Sequence, residues 1–201
     1  MMTMTILSID QVLADGKKCA AGYSDGVVKI WDMMTSEQVH SLSGVHQDAV
    51  VNLTLSSTNL LLSGSSDGTV GLWNCSSGKS VGVLASGGGE SRGVECVEVE
   101  AGNVFTGDLG GVLALWDLGT QVSKWSCVMG GAVTVMSVAG DLVYCGTDQG
   151  LVRTVDTRTG APVMEFTGHK GTLLEMSLSG QTMVTASDDG TAKVWDIRVN
   201  R

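Results

Sequence analysis

Apolar and polar residues alternate along this chain in short runs, each broken by a small polar turn that carries glycine. Residues 50–55 read VVNLTL, 60–64 form an apolar run ending in Ser-Gly, 65–68 read SSDG, and 70–73 and 79–84 alternate again. A period of two puts successive side chains on opposite faces of a sheet. These runs therefore predict four strands: Val50 to Leu55, Leu60 to Gly64, Val70 to Trp73 and Lys79 to Leu84. Gly68 suits a positive φ in the turn between the second and third. No segment sustains a 3.6-residue period, so no helix is predicted.

The unit repeats. Its core reads AAGYSDGVVKIWD at 20–32, LSGSSDGTVGLWN at 62–74, FTGDLGGVLALWD at 105–117, YCGTDQGLVRTVD at 144–156 and TASDDGTAKVWD at 185–196. Trp31, Trp73, Trp116, Val155 and Trp195 hold the same place, roughly 40 residues apart, which is the length of a four-stranded propeller blade. Trp125 is out of register and is expected to pack between blades.

These registers resemble the WD40 repeat, and the resemblance covers nearly the whole chain. It implies an all-β propeller in one domain, with five four-stranded blades at about 1–42, 43–84, 85–126, 127–167 and 168–201. It also implies a buried network in each blade that joins a histidine, a strand hydroxyl, the turn aspartate and the tryptophan. Such a network must be complete, because an unpaired buried polar group costs several kcal/mol. The second repeat offers His46, Ser63 or Ser65, Asp67 and Trp73; the fifth offers His169, Thr185 or Ser187, Asp189 and Trp195. The first has Asp25 and Trp31 without a histidine. The third keeps Trp116 but has Gly110 at the aspartate position, and the fourth has Gln149 there, so both networks are expected to be degraded.

The chain starts at the threshold of a first strand, and it stops just after Trp195-Asp196, before the outer strand of that blade. The expectation is an open or incomplete ring, the C-terminal part of a propeller of seven or eight blades. The segments GKSVGVLASGGGESRGVECVEV, GDLGGVLALWDLGTQ, GLVRTVDTRTG and GHKGTLLEMSLS narrow the resemblance. Their order is similar to the C-terminal blades of the angio-associated migratory cell protein family, itself similar to fungal WD-repeat chaperones of a large-subunit ribosomal protein. That likeness implies three further blades and an acidic segment upstream.

Composition restricts the function. With 28 Gly against one Pro, turns are frequent, and the net charge of −9 is the wrong sign for a phosphate backbone or an anionic membrane surface. An acidic surface suits a basic protein segment, through on-rate and specificity. Cys19, Cys75, Cys96, Cys127 and Cys145 form no CxxC and no zinc spacing, which favours a reducing compartment, cytoplasmic or nuclear. No signal peptide or membrane span is visible, and no cofactor or metal is expected.

Gly78-Lys79-Ser80 ends like a phosphate-binding loop, but Trp73 stands where that loop needs its first glycine, so a strand-to-strand turn is expected. His40, His46 and His169 are the only histidines; two belong to the expected networks and His40 is expected to face solvent on an outer strand. Catalysis has few candidates left, and no enzyme is expected. Asp48, Glu90, Arg92 and Lys170 fall in corresponding loops and are the candidates for partner binding. The expected function is a non-enzymatic interaction scaffold, in ribosomal-protein chaperoning or in cell-migration signalling. The alternative is an adaptor subunit of a ubiquitin-ligase, G-protein or RNA-processing complex.

Overall fold

The computed structural model describes residues 6–12, 18–85 and 92–199, the first of these as a backbone strand. All 19 described elements are strands. They form five antiparallel sheets, each following the chain from its inner to its outer strand. The first holds β1 (Ile6–Val12), β2 (Lys18–Tyr23), β3 (Val28–Asp32) and β4 (Gln38–Leu42). The second holds β5 (Val50–Leu55), β6 (Leu60–Ser65), β7 (Thr69–Asn74) and β8 (Lys79–Ala85), within a residue or so of the strands read from the alternation. The third holds β9 (Val94–Glu100), β10 (Asn103–Asp108), β11 (Val112–Asp117) and β12 (Ser123–Val128). The fourth holds β13 (Val133–Ala139), β14 (Leu142–Thr147), β15 (Leu151–Asp156) and β16 (Pro162–Thr167). The fifth holds β17 (Leu173–Ser179), β18 (Thr182–Ser187) and β19 (Ala192–Asp196). The last sheet has three strands among the described residues, as expected for a blade without its outer strand, and only turn residues are described after Asp196.

The core is divided among the seams between consecutive sheets. One cluster, with Ile30, Leu42, Val50, Leu53, Leu61 and Trp73, joins the first two sheets. Another, around Leu72, Leu84, Val97 and Val104, joins the second and third; Phe105, Leu115, Val133 and Val143 lie in the next; Tyr144, Phe166, Leu173 and Met183 lie in the last. Each of the three middle sheets therefore buries both faces, one against each neighbour, and each large apolar side chain buried this way contributes about 1.5–3 kcal/mol. The face turned toward the preceding sheet is called the head, and that toward the following sheet the tail.

Two regularities set the seam geometry. On the tail face, Gly22, Gly64, Gly107 and Gly146 hold one equivalent place in β2, β6, β10 and β14. A methyl group there would sit 2.5 Å from Val50, 3.0 Å from Val97, 2.5 Å from Val133 and 2.9 Å from Leu173 of the next sheet, so only glycine permits the approach. Further out, the centres of β4, β8 and β12 press on the third-to-fourth-strand turn of the next sheet. There the sizes alternate. His40 lies over Gly78, Gly82 faces Gln121, and Trp125 lies over Gly160. The turn residues Gly78, Gln121 and Gly160 share a positive φ of 65°, 59° and 70°.

His40 is consequently half-buried, and its Nε2 is enclosed without a hydrogen-bond partner. The expectation that it faces solvent is corrected: the turn of the next sheet covers it. Trp125 packs between sheets as expected, stacking near Phe105 and donating from Nε1 to the Thr157 carbonyl at 3.0 Å. Gly78 closes a turn whose amide donates to the Asn74 carbonyl at 2.9 Å, with no helix behind it.

Candidate functional site

The start of each inner strand and the turn between the second and third strands lie at one end of every sheet. There the same backbone bond recurs in four sheets. The amides of Ser66, Leu109, Asp148 and Asp188 donate to the carbonyls of Ala49, Gly93, Ala132 and Thr172, at 2.9, 2.9, 3.1 and 3.1 Å. Each bond ties a turn to the loop that enters its own inner strand. The loops at this end are thus held on a stiff base while their side chains stay free to vary.

In the second sheet a buried network reinforces that base. Ser63 Oγ lies 2.6 Å from His46 Nε2 and accepts the Trp73 indole N–H at 2.8 Å. His46 Nδ1 lies 2.8 Å from Thr69 Oγ1, and that hydroxyl donates to Asp67 Oδ1 at 2.6 Å. The other Asp67 oxygen accepts the Gln47 amide at 2.6 Å, which fixes the entering loop to the turn. Of the two serines left open by the sequence, Ser63 is the network hydroxyl; Ser65 Oγ donates instead to the Asp48 carbonyl at 3.1 Å.

The fifth sheet repeats the scheme with one change. Thr185 Oγ1, rather than Ser187, meets His169 Nε2 and the Trp195 indole, each at 2.8 Å. Here His169 Nδ1 reaches Asp189 Oδ2 directly at 3.0 Å, with Thr191 Oγ1 at 3.2 Å to the side. Asp189 also accepts the Lys170 amide at 2.9 Å. In the second sheet the corresponding imidazole–carboxylate distance is 3.9 Å, so the threonine acts as a relay. The pairs Asp67 with Thr69 and Asp189 with Thr191 are visible in the sequence as a repeated Asp-Gly-Thr, the signal that would have identified both threonines.

These contacts set the charge states. Burial pushes the His46 imidazole down, against the pull of Asp67, so it is held neutral. Burial raises Asp67, but the Thr69 hydroxyl, the Gln47 and Thr69 amides and His46 outweigh it and leave the carboxyl low. Asp189 is held low by the Thr191 hydroxyl and the Lys170 amide first, with burial opposing and His169 adding to the effect.

The other sheets lack this set. In the third, Trp116 Nε1 donates to Thr106 Oγ1 at 3.0 Å, and the turn aspartate has moved: Asp108, buried, accepts the Val112 amide at 2.8 Å where Gly110 cannot. In the fourth, Val155 and Cys145 fill the slots of the tryptophan and hydroxyl, and both are buried completely. In the first, Asp25 accepts only the Val27 amide at 3.1 Å, and Trp31 lies 6.4 Å from Tyr23 in a tilted pair.

Of the partner-binding candidates, Asp48, Arg92 and Lys170 lie at this loop end. Asp48 is exposed and caps the Ala49 amide at 2.7 Å. Arg92 is exposed and reaches the Gly110 carbonyl at 3.5 Å; a side chain on Gly110 would collide with it. Lys170 is exposed while its amide is tied down. Glu90 lies outside the described residues. Among the described residues no group of three or more His, Cys, Asp or Glu is placed to hold a metal ion, and no helix is long and apolar enough to cross a membrane.

Comparison with known proteins agrees with the repeat pattern. Residues 3–32, 36–74 and 160–196 match the family model of the WD domain, G-beta repeat. The chain is 35% identical, over 94% of its length, to the angio-associated migratory cell protein of Canis lupus familiaris, and spans 48% of that relative. It is 34% identical, over 69% of its length, to the U3 small nucleolar RNA-associated protein 21 homolog of Schizosaccharomyces pombe, of which it spans 16%. The chain thus spans about half, or less, of the curated relatives it matches. Among solved structures, the computationally designed Ika8 protein superposes with a TM-score of 0.83 at 27% identity, covering 96% of this chain and 58% of that one.

Proposed function

We propose that this chain, which belongs to the WD40 family of G-beta repeats, works as a non-enzymatic scaffold that holds a basic protein segment on the loop end of its sheets. The observation that carries this reading is the recurrent brace from turn amide to loop carbonyl in four sheets, doubled by an aspartate tie in two. Pre-organised loops lose little freedom on binding, so their contacts convert into affinity rather than ordering cost. A net charge of −9 attracts a cationic partner over the range of a Debye length. Asp48 and Glu90 are the carboxylates assigned to capture, with Arg92 and Lys170 setting register against acidic positions of the partner.

The partner class is a lysine- and arginine-rich segment of a ribosomal protein, held before assembly. Support comes from the acidity of the chain and from a relative named as a small nucleolar RNA-associated protein. The relative named for migrating cells favours a second setting, a cytoskeletal or signalling partner bound through the same face. Either would be met in the cytoplasm or nucleus, where the five cysteines, none of them in a disulfide among the described residues, stay reduced.

A Lys/Arg-rich peptide from a ribosomal protein, titrated at several salt concentrations, tests this. Reversing charge in an Asp48→Lys, Glu90→Lys double variant should weaken binding about tenfold or more at low salt and flatten the salt dependence. Binding that keeps both its strength and its salt slope in the double variant would remove the assignment.

A further inference from the structure

An Asp-Gly pair is prone to rearrange in water, because glycine carries no Cβ to hinder attack by its own nitrogen on the aspartate carboxyl. The pair occurs at 15–16, 25–26, 67–68 and 189–190, and the first lies outside the described residues. The other three hold one equivalent place, the turn between the second and third strands, and both 24–26 and 66–68 read Ser-Asp-Gly. Their glycines are held alike. Gly26, Gly68 and Gly190 donate to the carbonyls of Tyr23, Ser65 and Ser187 at 3.2, 3.0 and 3.2 Å, with φ of 78°, 84° and 79°.

The carboxylates are not held alike. Asp67 Oδ1 accepts the Thr69 amide and hydroxyl at 2.8 and 2.6 Å, and its Oδ2 accepts the Gln47 amide at 2.6 Å. Asp189 Oδ1 accepts the Thr191 amide and hydroxyl at 2.9 and 2.6 Å. Its Oδ2 accepts the Lys170 amide at 2.9 Å and lies 3.0 Å from His169 Nδ1. Val27 stands where those turns have threonine, so Asp25 receives no hydroxyl from that position. Among the described residues its bond is to the Val27 amide, at 3.1 Å, and the side chain is exposed.

We propose that Asp25 is a site of spontaneous isoaspartate formation, converting in the folded chain while Asp67 and Asp189 are protected. The Gly26 nitrogen attacks Asp25 Cγ. The new C–N bond closes a succinimide as the carboxyl C–OH bond breaks, and the amide proton leaves with that hydroxyl as water. Water then reopens the ring. Opening at the side-chain carbonyl restores aspartate; opening at the main-chain carbonyl routes the backbone through Cβ and Cγ and leaves the former main-chain carboxyl free. Solvent water is the sole co-reactant.

To turn toward the glycine nitrogen, the carboxylate must first leave its partners. Each charge-assisted bond to be broken slows this by about tenfold or more. The same contacts hold Asp67 and Asp189 low and therefore ionised, a form with no hydroxyl to lose. The lesion also reaches the loop end. A methyl group on Gly26 would sit 2.8 Å from the His46 carbonyl oxygen and 3.1 Å from that of Asp48. An added carbon in this turn therefore displaces the loop that carries Asp48.

Peptide mapping by mass spectrometry, on chain kept folded at neutral pH and body temperature, tests the proposal. A protease that cuts before aspartate but not before isoaspartate reads the conversion at each site. Isoaspartate should accumulate at Asp25 about tenfold or more faster than at Asp67 or Asp189. In the urea-unfolded chain Asp25 and Asp67, within identical tripeptides, should convert at closely similar rates. Val27→Thr supplies the missing hydroxyl and should slow conversion at Asp25 about three- to tenfold, whereas Thr69→Val should speed it at Asp67. Unchanged far-ultraviolet circular dichroism verifies that both variants are folded. Conversion at Asp25 no faster than at Asp67 in the folded chain overturns the proposal, as does a Val27→Thr variant that converts at the parent rate. A difference between the two sites that persists in urea would trace to sequence rather than to the fold, and overturns it equally.

Discussion

The second and fourth sheets share strand order, register and a place between two neighbours, yet they fill the same interior slot in opposite ways. The second inserts Trp73, Ser63 and His46, three polar-bearing side chains that must bond one another and do. The fourth inserts Val155 and Cys145, and burial pushes the Cys145 thiol well up, so it stays a neutral apolar filler. Both slots are buried, and the polar one has its hydrogen bonds made. A buried polar network is stable when complete and tolerable when wholly absent, whereas the half-made version is costly. The third sheet is the instructive intermediate. It keeps the indole-to-hydroxyl bond and moves its turn carboxylate two residues earlier, to Asp108.

Four experiments would break or sharpen this contrast. Trp73→Ala should lower stability by about 3–5 kcal/mol in urea denaturation, through a cavity and a broken network, whereas Val155→Ala should cost about 2 kcal/mol or less. Ser63→Ala removes the hydroxyl shared by the two rings and leaves the His46 and Trp73 ring nitrogens unpaired, for a loss of about 2–4 kcal/mol; Cys145→Ala should cost about 1 kcal/mol. Equal losses in the two sheets would end the distinction between network and filler.

Thr69→Val cuts the relay between His46 and Asp67 and should cost about 1–2 kcal/mol. Thr191→Val should cost roughly half as much, since His169 keeps its direct bond to Asp189. Thermal melts against pH give the smallest effect. His46 is depressed in the folded state, so its contribution is present above the ordinary histidine range and is lost as pH falls below it. Asp67 and Asp189 are also depressed, and their contribution is lost at still lower pH. Burial raises Glu95 and Glu98, which opposes the acid loss because their protonated forms favour the folded state. The melting temperature should therefore fall modestly from pH 7 to pH 5, and His46→Asn should flatten that part of the curve.

Much of this was legible in the sequence because it is local. Alternation marked the strands of the second sheet, and the recurring Trp, Asp and His marked the network positions. Which serine joins the network was not legible. Ser63 and Ser65 lie two apart on the same strand face, and only the reach of the Trp73 indole decides between them. The burial of His40 was missed for a related reason, since it depends on Gly78 in a different sheet. The partner face was legible as loops, but its stiffness rests on bonds between a turn and a loop some 17 residues apart in the chain.

The alternating sizes at the outer seams bear on how a chain of near-identical units avoids assembling itself in the wrong order. If the first sheet docked on the third, His40 would meet Gln121 and the two side chains would compete for one space. If the second docked on the fourth, Gly82 would face Gly160 across a void. Adjacent units fit, and units that skip one place do not. The outer strands and turns thus distinguish alternate units, discriminating against docking that skips a unit, a characteristic folding error of repeat proteins.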